Sequence, residues 1–250
     1  CVAHTHLAAY CVRLGLKEET REHVTAALSL REELGATGGQ TEMARVYQGV
    51  WSYQTGRYRQ AMQHFVTAHE RLMLGHATPW AIVARVALAR VYITLGQPAR
   101  AVQLLEAIPD GLPLAVRGLT LVALARALRL LGRAHVPLLE EALAIYPQHR
   151  QFDNDLMAQM QQALDIAPAA GAALAARVEA EARQRINRPL MLDAQAIACH
   201  CLLRAGAVTE ASAMARKAQA TAARRKAGEL GRPATGGLAH TMRASAISAK

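Results

Sequence analysis

The chain has 250 residues, a hydrophobic fraction of 52%, charged residues at only 19% and a formal net charge of +10. That apolar content exceeds what a disordered or purely solvated chain carries, and length and composition suit a folded core. Ala and Leu dominate while aromatics stand at 4%, so strong helix formers outweigh strand formers and the expectation is all-α.

Four cysteines, Cys1, Cys11, Cys199 and Cys201, are too few and too scattered for a disulfide framework, which points to a reducing, cytoplasmic setting. The most apolar stretch, Leu112 to Leu131, is interrupted by Arg117, Arg126 and Arg129, so it reads as a water-facing helix rather than a membrane span. The chain opens on Cys1 instead of Met, and we read it as a piece of a longer polypeptide.

Taken in chain order, the helices repeat. In the first unit Ala8, Gly15, Thr20, Val24 and Ala27 stand in a frame that returns as Gly49, Gly56, Ala61, Phe65 and Ala68, with Tyr58 two residues after the second glycine. The third unit offers Ala89, Gly96, Ala101, Leu105 and Ile108. The fourth offers Ala125 and Gly132, and Pro137 where the small residue belongs predicts a late start for its second helix. The last clear unit has Cys199, Gly206, Ala211, Ala215 and Ala218. Glycines 15, 56, 96, 132 and 206 are separated by 41, 40, 36 and 74 residues. The last interval leaves room for a degenerate unit, expected on Asp153–Ile166 and Ala172–Ile186 with residues 168–171 as its turn.

Each position has a physical reason. Gly49 and Ala61 fall where two helices cross, so a larger side chain would force the axes apart. Gly56 permits the tight turn between them, where positive φ costs Gly little. Tyr58, Phe65 and Ala68 form one helical stripe that fills the space towards the next unit.

This small–Gly–aromatic–small–aromatic–small series resembles the tetratricopeptide repeat (TPR). The resemblance implies a right-handed α-solenoid of about six helix pairs over residues 1–226, followed by a basic, flexible tail at 227–250. The spacing near 40 residues, with the phrase Leu28 to Gly35, is similar to TPR regions of MalT-like bacterial signal-transduction and transcription regulators. It also implies a scaffold that binds a protein or peptide in a concave groove lined by the first helix of each pair.

Frame positions on those first helices place Ala9, Val50, Arg90, Arg126 and His200 inward. One turn later come Arg13, Gln54, Thr94, Leu130 and Arg204. Arg90, Arg126, His200 and Arg204 are therefore the candidate ligand-binding residues, and they favour an acidic partner.

Charge is uneven: from Arg216 to Lys250 eight basic residues face only Glu229. Arg224, Arg225 and Lys226 are the candidate contacts for nucleic acid in the alternative reading. No catalytic residue, metal site or cofactor is expected. Cys199, His200 and Cys201 sit on one helix, where neighbours two apart diverge by about 200° and cannot share one ion.

Overall fold

The computed structural model describes residues 1–35, 39–76, 78–106, 109, 111–146 and 153–230. Among these it contains twelve helices and no strand. They form six antiparallel pairs: α1 (Val2–Leu14) with α2 (Lys17–Leu34), α3 (Gly39–Gln54) with α4 (Tyr58–Leu74), α5 (Thr78–Thr94) with α6 (Pro98–Glu106), α7 (Leu114–Leu130) with α8 (Val136–Ile145), α9 (Asn154–Asp165) with α10 (Pro168–Gln184), and α11 (Arg188–Arg204) with α12 (Val208–Leu230). The architecture is the expected all-α solenoid of helix pairs.

Turn chemistry within the pairs follows the glycines. Gly15, Gly56, Gly96, Gly132 and Gly206 all hold positive φ between 67° and 78°. At each, two backbone N–H groups return to the last helical carbonyls, as in Gly56 N to Tyr53 O and Arg57 N to Ser52 O. These bonds satisfy carbonyls that a helix end otherwise leaves unpaired.

The same pattern closes α10, where Ile186 N meets Arg183 O and Asn187 N meets Ala182 O. There the left-handed position is filled by Ile186 at φ 55°, a conformation that a β-branched residue resists.

Small residues set the helix crossings. Ala8, Ala61, Ala89, Ala101 and Ala125 are fully buried. A Cβ on Gly49 would stand 2.5 Å from the Phe65 ring, so the absence of a side chain is what admits that ring. Gly118 does the same for Tyr146, whose ring would lie 2.8 Å from an added Cβ.

One local expectation needs correction, and another is met. Residues 168–171 are not a turn: Pro168 opens α10 at a position where its missing N–H costs nothing. The chain reverses instead at Ile166 and Ala167, with Ile166 extended at φ −89°, ψ 176°. Gly171 packs so closely on α9 that a Cβ would lie 2.2 Å from Ala163 O. The last helix spans Val208–Leu230, and the remainder of the expected tail at 227–250 lies outside the described residues. By contrast, α8 begins only at Val136, with proline in its first turn, as Pro137 required.

The first helices of the pairs pack side by side: α1 on α3, α3 on α5, α5 on α7, α7 on α9 and α9 on α11. α11 then meets α1. The solenoid therefore completes a turn and closes on itself, with six inner helices around a common axis. Arg13 of α1 lies 3.3 Å from Asp153, the residue preceding α9, and donates to Arg185 O at 3.5 Å.

Candidate functional site: the lumen of the helical ring

The inner surface is written as a helical stripe on each first helix. On α5 the series Val83, Ala87, Arg90 and Thr94 is partly buried or exposed. So are Leu119, Arg126 and Leu130 on α7, and Asp193, Ala196, His200 and Arg204 on α11. Residues three, four or seven apart share one face of a helix, so each series projects to the same side. Tyr53 of α3 crosses to α5, with its hydroxyl 2.8 Å from Thr94 Oγ1.

Arg90 and Arg126 occupy equivalent positions on adjacent helices and their charges oppose one another. Desolvation is the largest influence on Arg126 and lowers its pKa, and Arg90 lowers it further. Asp193 of α11 feels both arginines: desolvation raises its carboxyl above the ordinary range, while Arg90 and Arg126 pull it back. Arg126 and Asp193 are nevertheless exposed side chains. A group that is accessible to solvent and yet desolvated has protein around it, as in a concavity.

No ion pair within 4 Å joins these three groups to each other or to another described residue. Gln54, on the equivalent stripe of α3, presents a buried Oε1 that lacks a hydrogen-bond partner among the described residues.

The other two sequence candidates are placed differently. His200 lies on the exposed stripe of α11, seven residues beyond Asp193. Arg204 reaches back to α9 and donates to Leu164 O at 3.1 Å, so its guanidinium caps a helix end. Arg224, Arg225 and Lys226 belong to α12, but their side chains lie outside the described residues. Cys199 Sγ faces Ala211 O and Cys201 Sγ faces Ala163 O, towards different helices. Among the described residues no group of three or more His, Cys, Asp or Glu side chains is arranged to hold a metal ion. No helix there is long and apolar enough to cross a membrane.

Sequence reasoning missed Asp193 and Asp153. Asp193 could have been found, because it falls two turns before His200 on a stripe already identified. Asp153 carried no such signal. It is almost fully buried, takes a left-handed φ of 53°, and gathers Arg13, Arg185 at 3.2 Å and Asn187 at 2.7 Å from distant parts of the chain.

No curated protein matches the chain. Among solved structures, the nearly identical TPR-like repeats of kinesin-light-chain type from Podosopora anserina align at 20% identity and a TM-score of 0.46, covering 76% of this chain and 98% of that one. A single-substitution variant of those repeats aligns at 20% identity and a TM-score of 0.45, covering 73% and 95%. Residues 52–125, from late α3 to late α7, match the family model described as tetratricopeptide repeat, so the stretch that carries Arg90 also carries that family's pattern.

Proposed function

We propose that this chain is an interaction or ligand-sensing module of a regulatory protein, and that it receives an acidic ligand in the lumen of its helical ring. Tetratricopeptide repeats generally mediate contacts between proteins and are typically not catalytic. The observation that carries the reading is the pair Arg90 and Arg126. Two guanidinium groups at equivalent positions on adjacent first helices, the second desolvated and both without an ion pair among the described residues, offer donors to a carboxylate or phosphate. A bacterial regulator as the parent polypeptide is supported by the repeat spacing near 40 residues and the phrase Leu28 to Gly35.

Fluorescein-labelled hexaglutamate provides the test, read by anisotropy at low and high salt. Arg90→Ala combined with Arg126→Ala should weaken binding about tenfold or more, with an unchanged circular dichroism spectrum. The difference should narrow as salt rises. Equal binding by wild type and the double variant would remove the lumen as the acidic-ligand site.

A further inference from the structure

A second concavity lies away from the inner stripes. The end of α10, the start of α11 and the middle of α12 bound a cavity of about 520 Å³, lined by the cations Arg183, Arg188 and Lys217 and by the apolar Ile186, Met191 and Leu192. None of Asp193, Ala196, His200 and Arg204 lines it. Its size is that of a small-molecule pocket, about 300–1,000 Å³.

The cations are held in place and still accessible. Arg183 Nη2 and Lys217 Nζ each lie 2.6 Å from an oxygen of Glu179, whose side chain is almost fully buried. One carboxylate therefore fixes two cations side by side, while they stay 58% and 44% exposed. A guanidinium has five N–H donors and an ammonium three, so each keeps donors for a ligand. Arg188, at the start of α11, is exposed and has no ion pair among the described residues. Three cations against the one Glu179 leave a surplus of two positive charges at the cavity wall.

The apolar part of the lining contains a strained residue. Five turns of this chain place glycine at the left-handed position, whereas Ile186 holds φ 55° there and stays 57% exposed. Backbone strain of this kind collects at binding sites, and here the strained side chain faces a cavity that a ligand can fill.

We propose that this cavity binds a small organic phosphate monoester, with its phosphoryl group on Arg183, Arg188 and Lys217 and its organic group against Ile186, Met191 and Leu192. A phosphate monoester carries about −1.5 to −2 charge at pH 7 and offers three strong acceptor oxygens, which matches the surplus charge and the three cations. A carboxylate supplies about half that charge, and inorganic phosphate has nothing to lay on the apolar side chains. The site shares no residue with Arg90 and Arg126, so its failure leaves the proposed acidic-ligand reading standing.

The test is calorimetric titration with phenyl phosphate, compared with inorganic phosphate and benzoate. Phenyl phosphate should bind at least about tenfold more tightly than either. Arg188→Ala removes an exposed side chain without a partner; it should leave the melting temperature unchanged and weaken phenyl phosphate about tenfold or more. Ile186→Gly should weaken phenyl phosphate and leave inorganic phosphate as it was. No binding of phenyl phosphate at millimolar concentration, equally tight binding of inorganic phosphate, or undiminished affinity in Arg188→Ala or in Ile186→Gly overturns the proposal.

Discussion

Arg13, one residue before the end of the first helix, places its guanidinium 3.3 Å from the carboxylate of Asp153 at the start of the ninth. The contact joins the first helix pair to the fifth. Arg13 is about two-fifths exposed whereas the Asp153 side chain is almost fully buried, at 43% and 5%. Asp153 also keeps Arg185 and Asn187. The two residues should therefore respond differently to removal.

Arg13→Ala deletes one partly exposed ion pair and should cost at most about 1 kcal/mol. It should nonetheless loosen the ring. Spin labels on α1 and α11 should report a longer or broader distance distribution, and wild type should broaden likewise at high salt. Asp153→Ala strips a partner from each of the largely covered Arg185 and Asn187 and should cost about 2–3 kcal/mol. An unchanged label distance in Arg13→Ala would show that apolar packing alone closes the ring.

The helix crossing at Gly49 and Ala61 gives a packing test. Ala61 has no exposed surface, and Ala61→Leu should overpack the crossing and cost roughly 1–3 kcal/mol. Gly49→Ala should be comparably damaging, because the Phe65 ring occupies the space its methyl group needs. Chemical denaturation of both variants provides the measurement, and the slope of unfolding should stay constant.

Ile186 offers the opposite outcome, a stabilising change. It adopts φ 55° with 57% of its surface exposed, so the strain is kept with little burial in return. Ile186→Gly relieves a left-handed β-branched residue at a position where five other turns of this chain use glycine. The gain should be about 1 kcal/mol after the flexibility of glycine in the unfolded chain is counted. A lower melting temperature would show that the Ile186 side chain contributes more through packing than its conformation costs.

Glu179 should set part of the acid sensitivity. It is buried, and burial by itself raises its pKa. The hydrogen bonds from Lys217 and Gln195, together with the Lys217 and Arg183 charges, outweigh burial and hold the group below its ordinary value. Lys217 Nζ lies 2.6 Å from Oε2, and Arg183 lies 2.6 Å from Oε1.

A carboxyl depressed in the folded state contributes stability that is present above the unfolded value, near 4.5, and is lost as pH falls through the folded one. Glu179→Gln should therefore be less stable at neutral pH and show a flatter fall in unfolding free energy below that point. Parallel pH profiles for wild type and variant would contradict this assignment.

The sequence by itself determined the local part of this molecule. Turn glycines and small residues at crossings follow from spacing within about 40 residues, where helix periodicity fixes which side chains share a face. The degenerate fifth pair was located, but its turn was misplaced because Pro168 and Gly171 signal a reversal and a helix start alike. Tertiary structure alone decided the approach of α11 to α1, the pairing of Arg13 with Asp153 and the electrostatic influence of Arg90 and Arg126 on Asp193. A small rotation at each repeat accumulates around the solenoid. Whether the ends meet depends on the sum of all those rotations, and no local spacing in the sequence encodes that sum.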